Sequence, residues 1–447
     1  MALAAVYTLA FIIIDRLRQG DHPGVAEGYN ADRRGAARLL QPDTALFHCA
    51  IDRFDVLRAS LGENLARQLE ADLAERLRAN IRPRDDLIPL EDGAFAILLR
   101  IDNSSDSLLL ERAHQFLDSL RQPVEMEKRT VLPTACIGIA RATQERIEFD
   151  ELSRRARSAA LVARERGQDQ VELFRDDIDR HLREERELEG DLRAALGRGE
   201  LALHYHPLVD IATGRLNGVE ALIRWHHPER GMIPPMQFIP QAERSGLIEP
   251  LGEWVLVRAM EDAAAGLPHD IRIAVNLSPR QIKSARFLQT FDSAIQALGV
   301  SPQRMDFEIT EGVELRDEAP TIERLLRFKE LGATITLDDF GTGYSSLSYL
   351  IRFPFDRVKI DRGFVARALD DPASRTVIEA TLQLARTLSL STVAEGIEKR
   401  EQLDLLRELG CDEAQGFLFC KPLPLPALQE ALASGLPPKD WRRFEGE

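Results

Sequence analysis

Cysteine is scarce in this sequence. Its four cysteines, Cys49, Cys136, Cys411 and Cys420, lie far apart and form no CxxC pair. This spacing excludes a disulfide framework and a cysteine-based zinc cluster, and it favours a reducing cytoplasm. Positive charge is also in deficit, because 73 acidic residues outnumber 58 basic ones and the net charge is -15. A chain this acidic is unsuited to long nucleic acids, which are bound through many Lys and Arg contacts.

Long apolar runs are missing too. The apolar stretch LAAVYTLAFIII near the N-terminus gives way to Asp15, Arg16 and Arg18. It is shorter than the ~20 residues that a membrane-spanning helix needs. It also lacks the basic start and the small-residue cleavage site of a secretory signal. Two interpretations stay open, a packed or dimerising helix, which we favour, and a weakly membrane-associated one.

The length of 447 residues, with 44% hydrophobic and 29% charged residues, indicates a folded protein of two or three domains. We predict an apolar helix and connector over 1–44, a compact α/β domain over 45–175, a linker helix over 176–199 and a larger α/β domain over 200–440. In the first α/β domain, strand-like runs such as ALFHCAI and AFAILLR alternate with amphipathic runs such as LARQLEADLAERLRANI.

From about residue 200 onward, short apolar strands alternate with helical stretches, in the number that a (β/α)8 barrel of the TIM type requires. Seven of these strands run into a polar residue where they end. These residues are Glu220, Asn276, Glu308, Asp338, Lys359, Glu395 and Gln415. In a parallel barrel such strand ends converge on one face, so we expect one site there. A single acidic residue at a strand end is often only solvated, but seven on successive strands favour a site.

The expected site is rich in hard oxygen donors, which suit Mg²⁺ or Mn²⁺ better than zinc. The adjacent acids Asp338 and Asp339 favour two ions, since one carboxylate can bridge ions about 3.5 to 4 Å apart. Two such ions can activate water and stabilise the leaving oxygen of a phosphodiester. Lys359 is suited to hold that water or a phosphate oxygen, and Glu395 to accept its proton.

The sequence EALIRW resembles the namesake motif of the EAL-domain cyclic-di-GMP phosphodiesterases. The resemblance extends over residues 190–435 through FIPQAERSGLI, NLS, EITE, DDFGTGYSSL, VKID, AEGIE and QGFLFCKP, in the order of the family. It implies hydrolysis of cyclic-di-GMP to linear pGpG by a two-metal mechanism. It also implies a homodimer formed through the barrel.

The resemblance assigns a role to each matching residue. The implied ligands of one metal are Glu220, Asn276, Glu308 and Asp338, and those of the second are Asp338 and Asp339. Lys359 and Glu395 match the residues that orient and deprotonate the attacking water. Glu311 matches the residue that anchors the loop DDFGTGYSSL, which links metal binding to dimerisation in the family.

Three further positions match residues that contact the substrate. Arg224 matches an arginine that pairs with phosphate, and Gln415 matches an active-site amide. His206 departs from the family, which usually has Gln at this position, and the change affects expected substrate affinity more than catalysis. Zinc binding by His204 with His206, or by His226 with His227, is an alternative that we disfavour, because no Cys or third His lies at ligand spacing.

The domain in front resembles the GGDEF diguanylate cyclases over residues 30–175. PLEDGAF, residues 89–95, occupies the place of the family's RLGGDEF and lacks its glycines and metal-binding acid. Ala50 replaces a second metal ligand, while Arg58 and Arg67 replace residues that contact guanine. We therefore expect a GGDEF-like cyclase-palm fold without cyclase activity, in a regulatory or dimerising role.

The segment RPRD, residues 82–85, matches the inhibitory-site motif RxxD, which binds cyclic-di-GMP in active cyclases. Arg82 and Asp85 are therefore an expected allosteric site under one interpretation. Under the other, which we favour, Pro83 ends a helix and Asp85 caps a turn. For the whole chain, a silent cyclic-di-GMP receptor and a protein scaffold remain as alternatives to the enzyme.

Overall fold

The computed structural model describes residues 39–40, 43–101, 105–126, 129–142, 147–310, 318–341 and 347–435. The predicted N-terminal apolar helix therefore lies outside the described residues. By its internal contacts the chain divides into two units, Met1–Glu184 and Glu185–Glu447. Within the described ranges, no helix combines the length and apolar character needed to cross a membrane.

The first unit is an α/β domain. Its strands are β1 (Leu39–Leu40), β2 (Thr44–Ile51), β3 (Asp86–Pro89), β4 (Ala94–Arg100), β5 (Val124–Met126), β6 (Arg129–Val131), β7 (Ala135–Arg141), β8 (Ile147–Glu148) and β9 (Val171–Leu173). Its helices are α1 (Phe54–Leu61), α2 (Glu63–Ala79), α3 (Asp106–Leu120) and α4 (Phe149–Glu165). Five strands form the main sheet in the order β3-β4-β2-β7-β9, and only β7 and β9 pair in parallel.

Strand β2 lies at the centre of this sheet and is buried on both faces. Phe47 and Cys49 pack with residues of α2 and α3, whereas Leu46 packs on the opposite face with residues of α4. This alternation follows from the two-residue period of a strand. On the α4 face Gly138 of β7 is required, because a Cβ there would lie 2.0 Å from the carbonyl oxygen of Ala156. The predicted α/β front domain is confirmed.

The 23-residue helix α5 (Asp176–Arg198) contains the boundary between the units. The second unit's strands are β10 (Leu201–Asp210), β11 (Leu216–His227), β12 (Gly231–Ile233), β13 (Arg272–Asn276), β14 (Met305–Thr310), β15 (Thr334–Phe340), β16 (Arg357–Ile360), β17 (Ser391–Ala394), β18 (Glu413–Ala414) and β19 (Leu423–Pro424). Its helices are α6 (Pro235–Ser245), α7 (Ile248–Gly266), α8 (Pro279–Lys283), α9 (Ala285–Leu298), α10 (Glu318–Leu331), α11 (Leu347–Arg352), α12 (Arg362–Arg367), α13 (Pro372–Leu388), α14 (Arg400–Leu409) and α15 (Leu425–Ala433).

Eight of these strands close into the predicted barrel, in the order β10-β11-β13-β14-β15-β16-β17-β18 and back to β10. One strand differs from the all-parallel arrangement expected from the sequence, because β10 is antiparallel to both β11 and β18. The turn after β10 explains this. Asp210 accepts bonds from the backbone N–H and the hydroxyl of Thr213, at 2.6 and 2.7 Å. So short a connection makes a hairpin and is too short for a parallel crossover.

The outward-facing side chains of the barrel strands pack against the surrounding helices. Phe307 of β14 contacts Phe291 of α9 and Phe328 of α10, with ring centroids 5.1 and 4.9 Å apart. All three rings are buried. Since side chains alternate along a strand, this packing directs the neighbouring Glu308 into the barrel.

Candidate active site

The ammonium of Lys359 lies at the centre of a buried acidic cluster inside the barrel. Only 1% of Lys359 is exposed to solvent. Four carboxylates lie within 4 Å of its Nζ. They are Glu395 at 2.5 Å, Glu308 at 2.9 Å, Asp338 at 3.3 Å and Glu220 at 3.9 Å. The structure therefore brings together residues from five strand ends that the sequence predicts at one site.

Glu220 is held by amides on two other strands. The Asn276 side chain donates a 2.9 Å hydrogen bond to Oε1 of Glu220, and the Gln415 side chain donates a 3.0 Å bond to Oε2. Gln415 directly follows the two-residue strand β18, which ends at Ala414. The two amides leave the carboxylate facing Lys359.

Asp338 and Asp339 both reach the site although they are adjacent in β15. In a regular strand, neighbouring side chains point to opposite faces. Here the pairing of β15 with β16 shifts register between Leu337 and Phe340, and Asp339 has a left-handed backbone with φ 55°. This bulge re-aims the second side chain. As a result, carboxylate oxygens of Asp338, Asp339 and Glu395 lie within 4.8 Å of one another.

Several of these carboxyl groups hold their protons unusually tightly. Burial, reinforced by neighbouring Asp338, raises the pKa of Asp339 to about 6. Burial also raises the pKa of Glu395 to about 8, with Lys359 opposing the rise, and it raises the pKa of Glu308 well above its usual value. For Glu220, the nearby Lys359 and the two amides outweigh burial, so its pKa is lowered. The cluster carries more negative charge than one lysine neutralises.

The remaining site residues predicted from the sequence lie around this cluster. His206 of β10 pairs directly with Glu220 of β11, and its ring lies 6.0 Å from that of the exposed Phe417. Arg224 lies four residues beyond Glu220 on β11 and donates a 2.8 Å hydrogen bond to the carbonyl of Ile223. Glu311 lies outside the described residues.

Asp361, two residues after Lys359, also belongs to the site and is not among the residues predicted from the sequence. Its negative charge contributes to the raised pKa of Asp339, so it lies near the second acid of the pair. It also caps α12 by accepting a 2.9 Å hydrogen bond from the backbone N–H of Gly363. The spacing of two residues from Lys359 was a usable signal for it.

In the described part of the chain, no histidine belongs to a group of three or more His, Cys, Asp or Glu side chains whose ligand atoms lie within 4.8 Å of one another; the acidic trio is the only such group there. The rings of His204 and His226 lie 6.3 Å apart. His227 has a structural role, because its Nδ1 accepts bonds from the backbone N–H groups of Glu229 and Arg230. Its Nε2 lies 3.3 Å from Asp191.

A cavity of about 250 Å³ adjoins the site. Asn276 and Glu308 form its polar wall, while Leu222, Ile239 and Pro279 contribute apolar surface. A larger cavity of about 860 Å³ lies elsewhere in this unit, and none of the predicted site residues lines it. We therefore assign the smaller cavity to the candidate active site.

Comparison with known proteins decides the family. Residues 189–422 match the EAL domain family, and residues 33–170 match the family described as diguanylate cyclase, GGDEF domain. The chain belongs to the EAL domain family. Its EAL barrel is preceded by a GGDEF unit, which is the first unit described above.

Named relatives align with this chain over most of its length. The bifunctional diguanylate cyclase/cyclic di-GMP phosphodiesterase MucR of Pseudomonas aeruginosa is 35% identical over 425 residues, which cover 94% of this chain and 60% of MucR. The cyclic di-GMP phosphodiesterase PdeR of Escherichia coli is 34% identical over 381 residues, 85% of this chain and 57% of PdeR. This chain thus spans about 60% of either relative.

A solved structure of the PaMucR phosphodiesterase in complex with c-di-GMP is also similar. It is 42% identical, covers 54% of this chain and 99% of its own, and superposes with a TM-score of 0.52. The EAL enzyme Bd1971, solved with cAMP and cyclic-di-GMP bound, covers 89% of this chain at 21% identity and a TM-score of 0.55, a likeness in fold.

In the GGDEF unit, the hairpin PLEDGAF is closed by contacts from α1 and α2. Arg58 pairs with Asp92 at 3.0 Å, and Glu70 accepts a 3.0 Å hydrogen bond from the backbone N–H of Gly93. A Cβ on Gly93 would lie 2.4 Å from the ring of Phe54, so this ring packs directly against the turn. Side chains of the domain itself therefore occupy the surroundings of the hairpin.

The side chain of Asp85 is hydrogen-bonded to the backbone. Its carboxylate accepts bonds from the backbone N–H groups of Arg82 and Arg100, at 3.0 and 3.3 Å, and its own N–H donates to the carbonyl of Arg82 at 2.9 Å. These contacts are those of a capped turn, the interpretation of RPRD that we favour. Arg82 is exposed.

Proposed function

We propose that this chain is a metal-dependent phosphodiesterase that hydrolyses cyclic-di-GMP to linear pGpG in its EAL barrel. The observation that carries the proposal is the cluster around Lys359, whose ammonium contacts four carboxylates, two of which also belong to the acidic trio. EAL domains are in general metal-dependent phosphodiesterases, and relatives named MucR and PdeR are cyclic di-GMP phosphodiesterases.

The donor set fits Mg²⁺ or Mn²⁺. It offers carboxylate and amide oxygens without cysteine or histidine, and burial, together with the neighbouring carboxylates Glu220 and Asp338, raises the pKa of Glu308. We assign one ion to Glu220, Asn276, Glu308 and Asp338, and a second ion to Asp338 and Asp339. When bound, these ions would supply Lewis-acid activation of water and charge stabilisation on the phosphodiester.

Side chains of the protein carry out the proton transfer from the attacking water. Glu395 accepts the proton of the attacking water. Its pKa is about 8 without metal, and cations bound beside it would lower this pKa, so that the carboxylate form is available near neutral pH. Lys359, 2.5 Å away, holds this carboxylate in place. The water oxygen bonds to phosphorus, the bond from phosphorus to the 3′ oxygen breaks, and that oxygen takes up a proton. The product is a linear dinucleotide with a 5′ phosphate.

Side chains that line the site would contact the substrate. Arg224 is half-buried and makes no ion pair within the described ranges, so its guanidinium is available to a phosphate. The 250 Å³ cavity beside Asn276 combines polar and apolar walls, which suits a nucleobase. Burial lowers the pKa of His206, so its ring is neutral at pH 7 and offers one donor and one acceptor.

The GGDEF unit acts as a regulatory module without cyclase activity. Ala50 supplies no metal ligand, and the Arg58–Asp92 pair closes the hairpin at which a cyclase holds its nucleotide. Dimerisation through the barrel remains a prediction that rests on the family resemblance.

The test is turnover by the purified full chain. Cyclic-di-GMP is incubated with the protein and Mg²⁺ or Mn²⁺, and the products are separated by chromatography, with Glu220→Gln as the isosteric control. We expect pGpG from the wild type and at least about 100-fold less from the variant. Tight binding of intact cyclic-di-GMP without pGpG would replace the enzyme by the receptor alternative. If the protein neither binds nor hydrolyses cyclic-di-GMP, the scaffold alternative is favoured.

A further inference from the structure

A second set of charged side chains lies inside the barrel beneath the candidate site. Asp306, Arg357 and Glu413 each precede a site residue by two positions, namely Glu308, Lys359 and Gln415. Residues two apart on a strand share a face, so this set forms the next layer of the interior. All three are buried. The corresponding layers of (β/α)8 barrels are mostly filled by branched aliphatic side chains. A layer of buried charged side chains is therefore unusual and indicates a specific role.

Glu413 is the centre of this layer. Arg357 donates to both of its carboxylate oxygens, at 2.7 and 3.3 Å. Arg272 donates at 2.5 Å and the side chain of Asn217 at 3.1 Å. We call Glu413, Arg357, Arg272 and Asn217 the Glu413 cluster. It joins strands β18, β16, β13 and β11.

The same four strands meet again at Glu220. Glu220 belongs to β11, Asn276 to β13 and Lys359 to β16, while Gln415 directly follows β18. Their side chains contact the Glu220 carboxylate at 2.9, 3.9 and 3.0 Å respectively. Two carboxylates, one from β11 and one from β18, are thus each bound by side chains of the other three strands.

Stability alone does not account for the Glu413 cluster. Taking charged groups out of water is costly, and replacing a buried ion pair by apolar residues of similar volume is often neutral or stabilising. The two arginines outweigh burial and keep the pKa of Glu413 low, so the carboxylate is charged. A fully paired network of this kind fixes the geometry of the groups that it joins.

We infer that Glu413 is a positioning residue, which holds β11, β13, β16 and β18 at the spacing that directs Glu220 toward the metal. This inference rests on the proposed function, because it takes Glu220 to be a metal ligand. Outer partners of metal ligands typically change metal affinity by about 10- to 100-fold when they are substituted. Glu413 would be such a partner that acts through the strands.

The experiment measures Mn²⁺ binding to the full chain without substrate, by isothermal titration calorimetry. Glu413→Gln keeps the shape of the side chain and removes its charge. Arg357→Lys keeps a cation but loses the two-point contact with Glu413. We expect each substitution to weaken Mn²⁺ binding about tenfold. Two variants are used so that a folding defect in one leaves the inference testable.

Asp262→Asn is the matched control. Asp262 is a buried carboxylate of the same unit that accepts a 2.7 Å bond from Tyr205 and pairs with Arg258 at 3.0 Å. Its loss destabilises the barrel without touching the Glu413 cluster. We expect a lower unfolding temperature and unchanged Mn²⁺ affinity. Unchanged Mn²⁺ affinity in both cluster variants, or an equal loss in Asp262→Asn, would overturn the inference. Wild-type protein that binds Mn²⁺ but forms no pGpG would instead contradict the proposed function alone.

Discussion

The Nζ of Lys359 and the Oε1 of Glu395 lie 2.5 Å apart, at the ends of the neighbouring parallel strands β16 and β17. The pair joins the buried ammonium of the site to the carboxyl group whose pKa rises to about 8. A shared cation is what allows so many carboxylates to be buried together.

Replacing Lys359 by Met should lower kcat at least about 100-fold, because Glu395 loses the group that holds it. The metal-free variant should also unfold at a lower temperature than the wild type, since four carboxylates lose their common cation. Steady-state kinetics and thermal denaturation with a chelator test this.

Lys329→Met is the control for Lys359→Met. Lys329 pairs with Asp356 at 2.6 Å on the helix α10 outside the barrel. Its loss should affect stability with kcat within about twofold of the wild type. Equal loss of kcat in both variants would argue that Lys359 has only a structural role.

Stabilisation by metal should grow with pH. In metal-free protein the folded-state pKa of Glu395 is about 8, above its usual value of 4.5. A raised carboxyl pKa contributes stability at low pH, and this contribution is lost as pH rises from about 4.5 to about 8. Thermal denaturation at pH 6 and pH 8.5, with chelator or with Mn²⁺, should show a larger metal-induced shift at pH 8.5. Glu395→Gln should reduce the difference, and an equal shift at both pH values would contradict this account.

His206→Gln should change substrate binding more than catalysis. His206 pairs with Glu220 across the two strands, and the Nε2 atom of its ring is buried without a hydrogen-bond partner in the described ranges. We expect KM for cyclic-di-GMP to fall several-fold, since the amide is the family's usual residue, with kcat within about twofold. A large loss of kcat at unchanged KM would place His206 in the chemical step.

The GGDEF unit should make no cyclic-di-GMP. Because the EAL barrel would consume any product, the assay uses Glu220→Gln protein incubated with GTP and Mg²⁺ or Mn²⁺. No cyclic-di-GMP should accumulate, since Ala50 cannot bind metal and Arg58–Asp92 closes the hairpin. Accumulation above that of a GTP blank would show that the unit is a cyclase.

His48 should make the GGDEF unit sensitive to acid. Burial lowers the pKa of this β2 histidine from 6.5 to about 4. The unfolded chain therefore binds a proton that the folded unit rejects, so stability is complete above pH 6.5 and is lost as pH falls toward 4. The loss amounts to roughly 3 kcal/mol at ~1.4 kcal/mol per pH unit. Chemical denaturation at pH 7.5 and 5 should show about 2 kcal/mol of this loss, because pH 5 lies 1.5 units below 6.5, and His48→Leu should show less.

The sequence predicts the barrel and its acidic cluster well, because seven strand ends carry residues whose chemistry is specific. Whether a strand runs parallel or antiparallel to its neighbours is harder to predict. An alternating strand such as β10 looks the same whether it runs parallel or antiparallel, and only the Asp210 turn reveals the hairpin. Glu413 was missed because an acid beside Asp412 looks like a solvated pair. Its burial depends on Arg272 and Arg357, which are distant in sequence. Asp85 shows the reverse, since the acid of a segment that resembles a ligand-binding motif here accepts hydrogen bonds from two backbone N–H groups.

The reversed direction of β10 also determines where the chain enters the barrel. Leu201, the first residue of β10, pairs with Trp225, beyond both Glu220 and Arg224 on β11. In an all-parallel barrel the first strand would begin at the far end from the candidate site residues. Here the residues that follow α5 arrive at the rim of the candidate site itself. A one-residue slip of β10 against β11 would turn His206 from the interior to the outside. The chain therefore enters the barrel at the same rim on which the candidate active site opens.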